Sequence, residues 1–282
     1  MKIGYVSLNV SDLQRSLEFY QSILGFKVIG RPSNQRVLLS TDGNPSHLIE
    51  LLRAGHQESS SRKIKRSGLY HLAVLLPERK HLADMLVHLR EKRDHVYFDG
   101  LADHLVSESI YIRDPELNGI EIYRDRPTSE WNWNDSQIEM ATLRLDADDL
   151  LKAATKEGWK EMPVKTAIGH VHLHVQDLTK AMKFYHAILG LNATSTFPGA
   201  YFFAAGRYHH HVAANTWLGT DIQPASPESP GLNHFSIQLP SKEEFKRLVK
   251  QLSHYDLAAG DSSEESIFVE DMDGLKIRIQ HK

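Results

Sequence analysis

Residues 3–28, IGYVSLNVSDLQRSLEFYQSILGFKV, align without a gap to residues 168–193, IGHVHLHVQDLTKAMKFYHAILGLNA, with 12 of 26 positions identical. Two further pairs follow in the same order. GLYHLAVLLP at 68–77 matches GLNHFSIQLP at 231–240, and RDPELNGIEIY at 113–123 matches EDMDGLKIRIQ at 270–280. A chain of 282 residues that repeats three landmarks in order is a tandem duplication of about 160 residues. The halves divide the chain into 1–124, a connector at 125–167, and 168–282.

Each half subdivides again. In 3–10, Ile3, Val6, Leu8 and Val10 are set against Tyr5, Ser7 and Asn9, the period of a half-buried strand. Ser11 and Asp12 offer N-caps, Leu13, Leu17, Tyr20 and Leu24 recur at helical spacing, and Gly25 sits where a helix stops. Phe19, Tyr20, Phe184 and Tyr185 read as packing residues. Three short strand-like runs follow, FKVIG, QRVLLST and HLIELL. The same order can be read from 69 to 124, 168 to 217 and 232 to 280. The fold class is therefore α+β, four βαβββ modules in tandem. In the connector, MATLRL reads as a strand and DADDLLKAATK as a short helix.

Composition narrows the chemistry. The chain has 17 histidines and no cysteine, so a metal must be held by His, Asp or Glu. Histidine is also the acid or base best suited to neutral pH. With 33 basic and 36 acidic residues the charge is nearly balanced, which argues against a nucleic-acid partner. RKIKR at 62–66 is the densest basic run and reads as a solvated loop. The N-terminus enters a strand pattern at once with no signal-peptide core, and no run reaches the ~18 apolar residues of a membrane span. These features point to the cytoplasm. The stretches 53–67 and 219–231 read as mobile loops, the second a possible lid.

The modules, with DL-x5-FY-x3-LG after a first strand and DPELNGIEIY closing the second module, resemble the vicinal oxygen chelate superfamily of glyoxalases, bleomycin and fosfomycin resistance proteins and extradiol dioxygenases. GHVHLHV and YHHHVAANTW make the chain most similar to the bacterial catechol 2,3-dioxygenase group. The resemblance implies cup-shaped mixed sheets, with metal ligands from the first and fourth strands of two modules. The positions so marked are Tyr5 and Glu50, His71 and Glu121, His170 and His211, and His234 with Arg278 where a glutamate is expected. The third and fourth modules together give three histidines and a cation. The first and second give Tyr5, Glu50, His71 and Glu121. The second and third give His71, Glu121, His170 and His211, which contains the two-histidine, one-carboxylate set used by ring-cleaving iron enzymes. That pairing is preferred. In hydroquinone-cleaving relatives the first and fourth modules share a site, which leaves the second and third to face each other.

Strand alternation adds an argument independent of resemblance. In GHVHLHV, His170, His172 and His174 share one face; in YHHHVAAN, His209 and His211 share a face and His210 opposes them. Five converging histidines are a functional signal, where a lone histidine is more often part of a polar sheet face. Tyr5 reads as cup wall, and Glu50 as a ligand or the partner of a surface base. His234 is open among ligand, acid or base, and core histidine. His104 and the other scattered histidines default to solvent.

The resemblance implies extradiol cleavage of a small aromatic diol with O2, giving a semialdehyde, on iron(II), with manganese(II) or zinc as alternatives. His209, His172 and His174 are the candidate proton carriers. Two other functions fit the superfamily. One is a glyoxalase-like isomerase or lyase on zinc or nickel using Glu50 and Glu121; the other is a metal-free ligand-sequestering protein. Dimers are common among paired β-module proteins.

Overall fold

A computed structural model describes residues 1–42, 44, 46–54, 65–226, 229–255, 257 and 263–281. The first module runs β1 Lys2–Val10, α1 Leu13–Glu18, β2 Lys27–Ser33, β3 Arg36–Ser40 and β4 Ile49–Arg53. The second runs β5 Gly68–Leu75, α2 Arg79–Glu91, β6 Tyr97–Asp103, β7 Ser107–Arg113 and β8 Gly119–Asp125. The third, after the connector, runs β11 Ala167–His174, α4 Leu178–Ala181, β12 Asn192–Phe197, β13 Ala200–Ala204 and β14 Val212–Asn215. The fourth has β15 Gly231–Leu239, α5 Lys242–His254, β16 Ser266–Glu270 and β17 Lys276–His281; the stretch 258–262, where a further strand would begin, lies outside the described residues.

In the second, third and fourth modules the first and last strands pair in parallel, the hallmark of βαβββ topology. His71 faces Gly119 across β5 and β8, Val171 faces Val212 across β11 and β14, and His234 faces Lys276 across β15 and β17. A crossover through a helix and two antiparallel strands is what permits that parallel pair. Side chains of the first strand and the last therefore arrive next to each other.

Contacts divide the chain into two compact units, one of Met1–Asn9, Ala54–Tyr70 and His170–Lys282, the other of Val10–Arg53 and His71–Gly169. In the first unit the strands run β16-β17-β15-β1 and β12-β13-β14-β11; in the second, β4-β3-β2 and β5-β8-β7-β6. One feature of the first unit crosses the repeat: β1 pairs antiparallel with β15, Ser7 opposite His234, so the N-terminal strand completes the sheet of the fourth module. The buried apolar sides of these sheets, with Leu8, Phe235 and Ile277 in the first unit and Leu72, Ile110 and Ile122 in the second, carry the cores.

The repeated DL-x5-FY-x3-LG segment folds the same way twice. Asp12 and Asp177 cap their helices by accepting from the backbone N–H groups of Arg15 and Thr179. The helix then widens to i→i+5 hydrogen bonds over Phe19–Ile23 and Met182–Ile188, as in Leu24 N–H to Phe19 O and Leu189 N–H to Phe184 O. Gly25 and Gly190, at φ +83° and +76°, end it in the left-handed conformation glycine tolerates. Tyr20 and Tyr185 do more than pack: each donates its buried hydroxyl to an aspartate, Asp114 at 3.0 Å and Asp271 at 2.8 Å.

The connector departs from expectation. MATLRL forms no strand; an isolated bridge joins its Leu143 to Asp103 of β6, and the helix α3 is confined to Ala147–Leu151. The regular pairing lies earlier, in a hairpin of β9 Trp133–Asn134 with β10 Gln137–Ile138 that turns at Asp135, φ +54°. Aspartate is among the few residues that adopt that conformation readily, and the polar stretch WNWNDSQ hid the strand period.

Candidate metal centre

In the second unit, parallel pairing of β5 with β8 sets two buried titratable side chains together. His71 Nε2 lies 3.0 Å from Glu121 Oε2, and both residues are more than nine-tenths buried. Glu121 is held from a second side: Ser109, on the neighbouring strand β7, donates its hydroxyl to Oε1 at 2.6 Å. A carboxylate and an imidazole placed so tightly away from water must be paired with each other or with a cation. Both donor atoms are close enough to ligate one divalent ion, which would take the place of a proton between them.

Tyr111 stands directly opposite Glu121 in the β7–β8 ladder, with its ring 5.7 Å from that of His71. Its hydroxyl is 2.7 Å from His104 Nε2, and His104 Nδ1 is 2.7 Å from the Ala141 carbonyl oxygen. A carbonyl only accepts, so His104 donates to it from Nδ1, and Nε2 of the neutral ring accepts a hydrogen bond from the Tyr111 hydroxyl. His104 is thus a fixed, half-buried residue and not the solvent-exposed one its sequence context suggested. Tyr111, His104 and Ser109 were missed at the sequence level, although one signal exists. Tyr111 and Glu121 are each five residues from Glu116, in the turn between β7 and β8, so hairpin counting pairs them.

In the first unit a second group forms. Ligand atoms of His170, His209 and His210 all lie within 4.8 Å of one another, all buried. The His170 and His210 rings are 4.0 Å apart, and His209 Nδ1 lies 2.7 Å from His210 Nδ1. The alternation expected for YHHHVAAN fails here. β14 begins only at Val212, and the chain bends through Gly206 at φ +68°, so the neighbours His209 and His210 turn to a common side. His211 instead receives the Ala205 N–H at Nδ1 and has its ring 4.9 Å from that of Tyr208.

His172 and His174 extend along the same face of β11 as His170. His174 Nδ1 donates to Asn215 Oδ1 at 2.8 Å, which leaves the lone pair of the neutral ring on Nε2. The rings of His172 and His174 each lie 5.0 Å from that of Tyr70, and His172 is 5.2 Å from Trp217.

His234 takes another environment within the first unit. Its Nε2 is 2.9 Å from the Tyr5 hydroxyl, its Nδ1 is 3.1 Å from Asn233 Nδ2, and Arg278 also donates to the Tyr5 hydroxyl. This polar cluster carries a guanidinium where a ligand carboxylate would stand. In the second unit, Glu50 is buried against the guanidinium of Arg36 on the adjacent strand β3.

Paired βαβββ modules with histidines and a carboxylate presented by first and last strands define a metal-site scaffold. The chain belongs to the Glyoxalase/Bleomycin resistance protein/Dioxygenase superfamily, whose model matches residues 2–122 and 167–279. It is 38% identical over 275 residues to a catechol-2,3-dioxygenase of Bacillus subtilis (strain 168), covering 94% of this chain and 90% of that protein. Its fold is similar to that of a Bacillus subtilis protein solved as a candidate dioxygenase (TM-score 0.66, 12% identity, 100% of this chain and 85% of that one). Glyoxalase I from Zea mays shares it too (TM-score 0.57, 13% identity, 99% and 92%). Among the described residues no helix is long and apolar enough to cross a membrane.

Proposed function

We propose that the protein is a metal-dependent extradiol dioxygenase that opens the ring of a catechol-type diol with O2. On the reading of the repeated strands, His71 and Glu121 of the second module and His170 of the third would hold its metal; each of the three is buried. The observation that carries the reading is the His71–Glu121 pair, an imidazole and a carboxylate in one buried place. With one more imidazole they make the donor set that suits iron(II) and leaves coordination positions for substrate; manganese(II) and zinc accept the same atoms. The relative named for catechol cleavage supports the same chemistry.

His170 is favoured as the third donor for two reasons. It occupies in the third module the place His71 occupies in the second. Gly169, the residue before it, passes so close to Tyr123 on β8 that a Cβ would overlap the tyrosine ring, and Tyr123 is two residues beyond Glu121. His209 and His210, which gather around His170, offer nitrogen alone and no carboxylate. His211 and His234 are not needed for the set.

A metal held there would supply Lewis acidity toward the diol and dioxygen. The protein's own task is to fix ligands and move protons. Ser109 orients the Glu121 carboxylate, and His104 fixes the direction of the Tyr111 hydroxyl. A catechol proton needs an acceptor near neutral pH, and a neutral histidine meets that need. His174 presents Nε2 for this purpose, with His172 and His209 as the other candidates. The isomerase alternative used Glu50, and the Arg36 guanidinium against that carboxylate weighs against it.

Anaerobically iron-loaded protein mixed with catechols and air should consume oxygen and form a yellow ring-opened product. Absence of oxygen uptake across a panel of catechols and hydroquinones would reject the proposal.

A further inference from the structure

Trp217 is 48% exposed and yet firmly held. Its backbone N–H donates to Asn215 Oδ1 at 3.1 Å, and its indole N–H donates to the Pro198 carbonyl at 2.9 Å. Gly199, at φ +75°, lies against the indole; a Cβ there would come within 3.2 Å of it. An exposed indole on a flexible tether costs little to leave loose. One pinned at both nitrogens over a glycine is a prepared surface.

The surface is a corner of rings. Tyr70 stands edge-on to Trp217, 5.4 Å between centroids, and edge-on to His172 at 5.0 Å; His172 in turn contacts Phe202 at 5.6 Å. His172 and Phe202 are buried and form the floor, Tyr70 is half-buried, and Trp217 is the open wall. None of these rings carries a fixed charge. The Lys65 ammonium donates to the Leu218 carbonyl at 3.2 Å.

Position gives the corner its meaning. His172 follows His170 by two residues on the same face of β11, about 7 Å along the strand. With the diol held at His170, the corner lies within reach of a group attached to the ring. The geometry points to a subsite for an uncharged apolar substituent, built by Trp217 and Tyr70, so that the substrate is an alkyl- or aryl-substituted catechol. This inference rests on the dioxygenase reading for the place of the diol, and on the corner itself for the substituent.

The test is an anaerobic titration of iron-reconstituted protein with catechol, 4-phenylcatechol and 3,4-dihydroxybenzoate. The wild type should bind the phenyl compound about tenfold or more tighter than catechol, the scale on which a filled apolar pocket discriminates. Trp217→Ala should bring the ratio of those two affinities close to one, and Trp217→Phe should keep most of it, with circular dichroism confirming that both variants fold. Equal affinities in the wild type, a ratio unmoved by Trp217→Ala, or tightest binding of the carboxylate would each overturn the subsite. Oxygen uptake, recorded separately, tells the two readings apart. Ring opening without substituent preference removes only the subsite; a Trp217-dependent preference without ring opening removes only the dioxygenase.

Discussion

Glu121 meets His71 through one carboxylate oxygen, at 3.0 Å, and the Ser109 hydroxyl through the other, at 2.6 Å. Three adjacent strands supply the three residues, so the carboxylate cannot rotate without losing a partner. That is the arrangement in which a hydroxyl sets the orientation and basicity of a ligand without touching the ion.

Glu121→Ala should abolish iron binding, while Ser109→Ala should weaken it by about 10–100-fold, the usual cost of removing a group that orients a ligand. Competition with a coloured chelator measures both. Undiminished iron in Glu121→Ala would move the metal to the His170–His209–His210 group, and His210→Ala is the matching control.

Glu50 supplies the opposite case. It is buried, but its partner Arg36 is 41% exposed and already compensates its charge. Arg36→Met should destabilise the fold by about 1–3 kcal/mol, less than the 3–5 of a fully buried pair because water reaches the guanidinium. Glu50→Gln should leave iron stoichiometry as in the wild type. Loss of iron in Glu50→Gln equal to that in Glu121→Ala would restore the first and second modules as the metal-binding pair.

Tyr185 and Asp271 give a stability signature. Burial, the largest influence, lifts the Asp271 carboxyl from 3.8 to about 6, against the hydrogen bonds from Leu275, Asp273 and Tyr185 that hold it down. The folded chain keeps a proton there that the unfolded chain releases. The contribution is therefore complete below about 3.8 and is lost as pH rises through about 6. Asn at this position is neutral throughout. The stability advantage of wild type over Asp271→Asn should shrink by up to about 3 kcal/mol between pH 4 and 7.5. Denaturant unfolding at several pH values checks it, and parallel curves would refute it.

The repeat made the modules legible because each landmark is local: a strand period, an aspartate cap, a glycine stop. His71, Glu121 and His170 could be singled out because they stand at equivalent ends of repeated strands. What lay beyond reach is non-local or irregular. Nothing in 3–10 announces that β1 pairs with β15 of the fourth module, since its alternation suits any neighbour. The bend from Gly206 to His211 defeats strand counting, which is why the His210 ring, expected on the opposite face, lies 4.0 Å from that of His170. Trp217 carries no periodic signal at all; its role depends on the loop that holds Pro198 and Gly199.

Gly169 precedes the third donor, His170. The overlap a Cβ would make with Tyr123 involves the hydroxyl most of all, and Tyr123 is fully buried with no room to swing aside. Gly169→Ala should therefore cost about 1–3 kcal/mol by overpacking. Tyr123→Phe, which removes the oxygen but leaves the ring, should recover part of that loss in the double variant. Non-additivity by thermal unfolding is the measure. If β11 must pass Tyr123 at this distance for His170 to reach the ion, Gly169→Ala also weakens iron binding, and the double variant recovers affinity in step with stability. Iron affinity untouched by a destabilising Gly169→Ala would separate His170 from the metal.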